Sequence, residues 1–139
     1  MRAIFSAALL AGLMAAGCAA TPSPTVPTAT GPPAPATTTE TFTGSVGVQG
    51  GDTHTFTVAQ MGSVDITLTS VAPGSNTVMG LGVGTPTGLT CFVITSVQTP
   101  AGAIPQLRGT GLAGQLCVTV YDTGNLAEPV EYTVTVAHP

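Results

Sequence analysis

The chain has 139 residues, only 6% of them charged, and a formal net charge of −4. That length suits one ordinary domain. Arg2 and Arg108 are its only lysine or arginine residues, which excludes a nucleic-acid partner, because neutralising phosphates takes clustered basic side chains. In place of charged residues the chain has threonine, serine and glycine among alternating valines. This composition is typical of all-β proteins.

The N-terminal segment has the features of an export signal. Arg2 precedes an apolar run over residues 3–16, which leads into Ala15-Ala16-Gly17-Cys18. The run is shorter than the ~20 apolar residues of a membrane span but fits the core of a secretory signal. A cysteine placed after small residues at the end of such a run resembles the bacterial lipoprotein signal, which usually reads Leu-Ala-Gly-Cys.

This resemblance implies that residues 1–17 are a signal peptide and that Cys18 is acylated and anchors the protein to a membrane. Two or more acyl chains anchor a protein stably. Ala19 follows the cysteine where an aspartate would signal retention in the inner membrane, so the outer membrane is favoured if the cell has one. The alternative is plain secretion after cleavage behind Ala20.

The next segment, residues 18–40, consists of the anchoring cysteine and a linker rich in proline and threonine. Proline fixes φ and removes backbone donors, so we expect an extended, disordered stalk without a core of its own.

Three cysteines are an odd number, which requires an explanation in an exported chain. If Cys18 is acylated, Cys91 and Cys117 remain as a pair in an oxidising compartment, and we predict a disulfide between them. A redox pair or two metal ligands fit less well, because the chain has no Cys-x-x-Cys and no histidine near either cysteine.

The folded domain is expected over residues 41–139. Short apolar-alternating runs are separated there by glycine, proline, asparagine and aspartate, which predicts an all-β sandwich or barrel. The strand candidates are residues 42–48, 53–59, 63–71, 78–83, 90–97, 104–109, 115–121 and 130–137.

Two of these runs, residues 116–121 and 130–136, flank a turn segment and predict a hairpin-like pair on which the rest of the domain packs. The predicted core consists of Phe56, Val58, Val64, Ile66, Leu68, Val118, Val120, Val134 and Val136.

Four stretches carry a family resemblance: GDTHTFTV at 51–58, GSVDITL at 62–68, CVTVYD at 117–122 and YTVTV at 132–136. They are similar to the bacterial pre-peptidase C-terminal domain, a jelly-roll-like β-sandwich at the ends of secreted peptidases and other exported proteins. The resemblance implies a jelly-roll-like sandwich of about eight antiparallel strands. That family often has an acidic residue where this chain has His54, so the calcium binding of some members is not expected here.

Asp52 and His54 are the weak candidates for a metal site, because residues i and i+2 point to the same face of a strand. His138 could be a third ligand, but the set lacks a further cysteine or carboxylate to complete a coordination sphere. Asp52 also has a simpler interpretation as a turn former that bonds the backbone two residues on. No serine has the glycine neighbours of a nucleophile elbow. We therefore expect a protein without catalytic residues or a cofactor.

The sequence favours a protein- or envelope-binding module, or a purely structural one, on a lipid-anchored surface protein. A carbohydrate-binding module is the alternative, although sugar sites usually need exposed rings. A metal-dependent enzyme or calcium-binding domain is the least supported reading. For the carbohydrate-binding alternative, the folded part has five aromatic residues in all: Phe42, Phe56, Phe92, Tyr121 and Tyr132.

Overall fold

Eight β-strands build the domain, in a computed structural model that describes residues 31–139. The strands are β1 Thr38–Val46, β2 Gly51–Val58, β3 Gly62–Ala72, β4 Met79–Thr87, β5 Thr90–Thr99, β6 Leu107–Gly111, β7 Gly114–Tyr121 and β8 Val130–His138. All eight predicted strands are present. β1 begins inside the predicted linker, because Thr38 and Thr39 pair with the end of β8.

The predicted signal peptide over residues 1–17 and the acylated Cys18 lie outside the described residues. Within the described part, Pro33–Pro139 form one compact unit. No helix in residues 31–139 has the length and apolar character needed to cross a membrane.

The strands form two four-stranded antiparallel sheets. One sheet has the order β1-β8-β3-β6 and the other the order β2-β7-β4-β5. β1 pairs with β8, β2 with β7, β3 with β6 and β4 with β5, which is how a folded ribbon of strands rolls into a jelly roll. The predicted all-β, jelly-roll-like sandwich is confirmed.

The predicted hairpin between the last two strands is wrong, because β7 and β8 lie in different sheets. Their connection, residues 122–129, crosses from one sheet to the other. Asp122 organises it by accepting hydrogen bonds from the backbone N–H groups of Gln49, Gly124, Asn125 and Leu126 at 2.8–3.2 Å. A connection held in this way replaces the short turn that would pair two neighbouring strands, so β7 pairs with β2 and β4 instead.

The core lies between the sheets and contains all nine residues predicted for it, each at most 5% exposed. Valine, leucine and isoleucine alternate with outward-facing threonine along the inner strands, as the period of two requires. Full burial of one such side chain stabilises the fold by roughly 1.5–3 kcal/mol. Met79, Leu81 and Tyr132 also belong to this core.

The predicted disulfide between Cys91 and Cys117 is confirmed, with the two Cα atoms 5.8 Å apart. Cys91 belongs to β5 and Cys117 to β7, and both strands are neighbours of β4. The bond therefore ties the edge strand β5 to the middle of its sheet.

The sandwich has two long sides, and each side is bordered by one edge strand from each sheet. On the β1/β2 side, aromatic and polar side chains contact each other across the gap between the sheets. On the β5/β6 side, both strands line an open groove. These two sides hold the candidate sites.

Candidate binding surfaces on the two sides of the sandwich

The β1/β2 side brings Asp52 and His54 together, as their spacing predicts, and adds Tyr132 from β8. The Tyr132 hydroxyl donates to Asp52 Oδ2 at 2.8 Å and lies 2.7 Å from His54 Nε2. Because a phenol has one proton, His54 Nε2 must be the donor in the second bond. His54 Nε2 and Asp52 Oδ2 are 3.6 Å apart. We call these three residues the Tyr132 cluster.

The surroundings of the cluster keep Tyr132 neutral. Burial, with the hydrogen bond to Asp52 and the charge of that carboxylate, raises the pKa of Tyr132 well above its ordinary value of 10.0. Gly44 on β1 makes the space, since a Cβ at that position would overlap Asp52 Oδ2 and the Tyr132 hydroxyl. The His54 ring also stacks on Phe42 of β1, with ring centroids 4.9 Å apart and planes 13° from parallel.

Asp52 was predicted to form a turn by hydrogen bonding its side chain to the backbone two residues later in the chain. This prediction is wrong. Its Oδ1 accepts from the N–H of Thr53, one residue on, and its Oδ2 accepts from Tyr132. The carboxylate and the His54 ring are thus engaged with a neutral hydroxyl, an arrangement that fastens β1, β2 and β8 together.

His138, considered from the sequence as a third metal ligand, does not lie beside Asp52 and His54. Its Nε2 lies 2.9 Å from Glu40 Oε1, its Nδ1 lies 3.1 Å from the Pro139 oxygen, and its ring packs against Phe56 at 5.3 Å. Register explains the difference: β8 pairs its end with Thr38, while Tyr132 lies opposite Gly44. In residues 31–139, no group of three or more histidine, cysteine or acidic side chains could hold a metal ion.

The second surface, on the β5/β6 side, is one that the sequence analysis missed. β5 is the edge strand of its sheet, and no strand of the described domain pairs with its outer edge. It has ten residues without a charge. The other three edge strands each carry one charged residue, Glu40, Asp52 and Arg108.

Apolar side chains on β5 face solvent. Phe92 and Ile94 are each 67% exposed and Val93 is 38% exposed. The register of β4 against β5 shifts so that Ile94 is left without a direct partner, between the pairs formed by Val93 and Thr95. We call this uncharged strand and its exposed side chains the β5 edge. Natural proteins protect such an edge with charge, proline or a β-bulge; β5 has the irregularity at Ile94 but neither charge nor proline.

The consecutive apolar run Phe92-Val93-Ile94 is the feature of the sequence that could have identified the β5 edge. Consecutive apolar residues usually indicate a strand buried on both faces, whereas the prediction for residues 90–97 was a strand with neither face assigned to the core. The same pattern also describes an edge strand that is uncovered on both faces, and only the sheet order separates the two.

Beside the β5 edge, the sheets part to leave a groove of about 340 Å³. β3 and β6 form one wall, and β4, β5 and β7 form the other. Its apolar lining comes from Val64, Ile66, Val83, Ile94, Leu107, Leu112 and Leu116. An open cleft lined in this way is the usual form of a small-molecule or side-chain binding site.

For carbohydrate binding, the structure offers little aromatic surface. Phe56 and Tyr132 are buried, and Phe42 is stacked on His54. The Tyr121 ring packs over Gly80, where a Cβ would overlap it. Phe92 is therefore the one ring of residues 31–139 with most of its surface in solvent.

No family model and no curated protein matches the chain. The resemblance to the pre-peptidase C-terminal domain therefore rests on the sequence patterns alone, while the β-sandwich is observed. Among solved structures, the chain is similar to PliG of Aeromonas hydrophila, a periplasmic inhibitor of g-type lysozyme. The similarity has 17% sequence identity and a TM-score of 0.44, and it covers 70% of this chain and 83% of that one.

Proposed function

We propose that this domain is a non-catalytic protein-binding module, and that it binds an extended segment of a partner protein along the β5 edge. The observation that carries the proposal is the edge itself, which combines an outer backbone that no strand of residues 31–139 pairs with, no charge and three consecutive exposed apolar side chains. Strand addition to an exposed sheet edge is a recurring mode of peptide recognition.

The energetics of strand addition suit this edge. Each backbone hydrogen bond to an added strand contributes about 0.5–1.5 kcal/mol net, and each cross-strand apolar pair contributes about 0.2–1 kcal/mol. β5 is already ordered by its pairing with β4 and by the Cys91–Cys117 bond. The protein side of the interface therefore loses little conformational entropy on binding.

The proposal includes attachment to the cell envelope through acylated Cys18. The signal-like N-terminus supports it, and the disulfide supports an oxidising compartment. Mass spectrometry of the N-terminal peptide from membranes tests it directly. Diacylglycerol mass on Cys18 is expected, and a free cysteine or cleavage behind Ala20 would contradict anchoring.

Photo-crosslinking in intact cells tests the binding surface. A photoreactive amino acid replaces Ser96, an exposed residue of β5, and in a matched strain it replaces Thr43, an exposed residue of β1. We expect a discrete protein adduct from position 96 and none from position 43. Equal adducts from both positions, or none from position 96, would contradict the proposal.

The partner identified in this way then allows a direct measurement of affinity. Val93→Lys places a charge on the β5 edge, and Val48→Lys makes the same change at an exposed valine in the β1–β2 connection. We expect Val93→Lys to weaken binding at least ~10-fold, about 1.4 kcal/mol, and Val48→Lys to leave it unchanged. Equal effects of the two variants would place the interface elsewhere.

A further inference from the structure

One end of the sandwich carries an exposed apolar side chain in each of its three strand connections. These connections join β2 to β3, β4 to β5 and β6 to β7, and none of them contains a charged residue. Their apolar residues are Met61, Leu89 and Leu112, all of them exposed, with Leu89 almost completely in solvent at 99%. We call this surface the apolar end.

The register of the strands brings these three connections to the same end. Val58, the last residue of β2, pairs with Gly114, the first residue of β7, and Gly62 of β3 pairs with Gly111 of β6. The connections that follow β2 and β6 are therefore neighbours. β4 also runs antiparallel to β7, so the end of β4 and its turn into β5 lie beside the start of β7.

The chain enters the domain at the apolar end. Thr38 begins β1 opposite the end of β8, and the end of β8 lies next to the start of β3. Just before Thr38, residues Pro35 and Thr37 border a shallow recess together with Met61. The predicted linker therefore reaches the domain beside the exposed apolar side chains.

The acidic residues of the chain are concentrated toward the opposite end. Four of the six lie in the β7–β8 connection or at the strand ends beside it: Asp52, Asp122, Glu128 and Glu131. The other two, Glu40 and Asp65, each have a basic side chain nearby, His138 at 2.9 Å and Arg108 at 3.9 Å. Anionic head groups repel carboxylates, whereas the boundary between head groups and acyl chains accepts apolar side chains.

The opposite end of the described domain has no comparable set of apolar residues. Val48, in the β1–β2 connection, is half exposed, and Leu126, in the β7–β8 connection, is buried. Ile104 is exposed, but its connection runs along β3, where the N–H groups of Gly102 and Gln106 donate to β3 carbonyls. Ile104 therefore lies on a side of the sandwich.

We propose that the apolar end docks on a lipid bilayer, with Met61, Leu89 and Leu112 inserted at the boundary between head groups and acyl chains. This inference rests on the proposed attachment through Cys18, because three side chains alone bind a bilayer weakly. A tether raises the effective concentration of the domain at the bilayer, so weak contacts suffice. Docking in this orientation turns the acidic end away from the lipid and leaves the β5 edge accessible to a partner protein.

Tryptophan fluorescence on vesicles tests the proposal, because the chain has no tryptophan of its own. The mature-length chain with an unmodified Cys18 is coupled to phosphatidylcholine vesicles through a maleimide lipid, since the other two cysteines form the disulfide. Leu89→Trp places the probe at the apolar end, and Val48→Trp places it at the opposite end. We expect brominated acyl chains to quench Leu89→Trp and its emission to shift to the blue on coupling, with neither change in Val48→Trp. Equal quenching in both variants, or none in Leu89→Trp, would overturn the proposal.

Further variants show whether the three side chains act together, since tryptophan itself favours the bilayer interface. Met61→Ser with Leu112→Ser, added to the Leu89→Trp chain, should reduce its quenching at least ~2-fold, because insertion scales with the apolar area buried. Val48→Ser in the same chain should not reduce it. All of these residues are exposed, so the substitutions should leave the fold intact, which circular dichroism checks. Undiminished quenching in the chain with both serines would show that the tryptophan inserts alone and would overturn the proposal.

Methyl NMR of the coupled chain without substitutions gives an independent readout, in nanodiscs that contain a spin-labelled lipid. The methyl signals of Met61, Leu89 and Leu112 should broaden most. Strongest broadening at Ile94 would place the β5 edge against the lipid and overturn the proposed orientation. The maleimide tether is present whether or not cells acylate Cys18, and no partner protein is needed. Failure of docking can therefore be told apart from failure of the proposed anchoring or of the proposed protein binding.

Discussion

Replacing Tyr132 with phenylalanine removes one hydroxyl group from the β1/β2 side and leaves the buried ring in place. That hydroxyl donates to Asp52 Oδ2 and accepts from His54 Nε2, at 2.8 and 2.7 Å. Tyr132→Phe therefore deletes both bonds of the Tyr132 cluster without creating a large cavity.

The magnitude follows from the type and exposure of these bonds. A hydrogen bond to a charged group contributes about 1.5–3 kcal/mol. The side chains of Asp52 and His54 are 33% and 24% exposed, so water can replace part of what each one loses. We expect the free energy of unfolding to fall by about 1–2 kcal/mol at pH 7.

The pH dependence gives a second readout of the same residue. The pKa of Tyr132 is raised by folding, so the folded state holds the phenolic proton more tightly than the unfolded chain does. This contribution to stability is complete below the unfolded pKa near 10 and is lost as the pH rises above it. Tyr132→Phe should lose less stability than the parent protein between pH 9 and 11.

Urea unfolding followed by circular dichroism measures both effects, in chains carrying Cys18→Ser to prevent thiol exchange. Tyr121→Phe is the matched control, because the Tyr121 hydroxyl makes no hydrogen bond within residues 31–139. It should change stability by less than about 0.5 kcal/mol. Equal losses in the two variants at pH 7, or parallel pH profiles for Tyr132→Phe and the parent, would refute this account of the cluster.

Three further predictions concern other parts of the domain. Replacing both Cys91 and Cys117 by serine should lower the free energy of unfolding by about 3.5 kcal/mol, because the disulfide closes a loop over a separation of 26 residues. Denaturant unfolding with and without reductant measures this loss, and unchanged stability would contradict the prediction. Backbone N–H groups, that of Gln49 foremost, lower the pKa of Asp122 below its ordinary value of 3.8, so its stabilising effect is present above that value and lost as the pH falls through the folded pKa. Asp122→Asn should therefore lower the melting temperature more at pH 7 than at pH 2, and an equal effect at both would exclude this cause. Gly80→Val should cost about 1–3 kcal/mol by forcing the Tyr121 ring from its place, and a neutral result by thermal unfolding would show that the ring moves freely.

Most of the strand positions and the core could be predicted because they depend on local pattern. Alternation of valine with threonine determines which side chains of a strand face inward, so residues such as Leu68, Val118 and Val134 could be assigned to the interior without any knowledge of their neighbours. The disulfide could be predicted by counting, since only Cys91 and Cys117 remain when Cys18 is set aside as the predicted acylation site.

The candidate sites depend on which strands become neighbours, and the sequence could not supply that. The spacing of Asp52 and His54 placed them on one face, but Tyr132 reaches them only because β8 pairs with β1, which packs opposite β2. For the same reason His138 lies apart, with Glu40.

The amino-acid sequence by itself determined that this is an all-β domain with one disulfide-bonded pair of cysteines and a nearly uncharged surface, because residue periodicity and composition act within each strand. The tertiary structure alone decided that β7 and β8 separate into opposite sheets, that the apolar β5 is an edge strand with no partner on its outer side within residues 31–139, and that a groove opens beside it. The physical reason is that exposure and cavity shape depend on the order of strands and the gap between two sheets, and contacts between residues far apart in the chain set both.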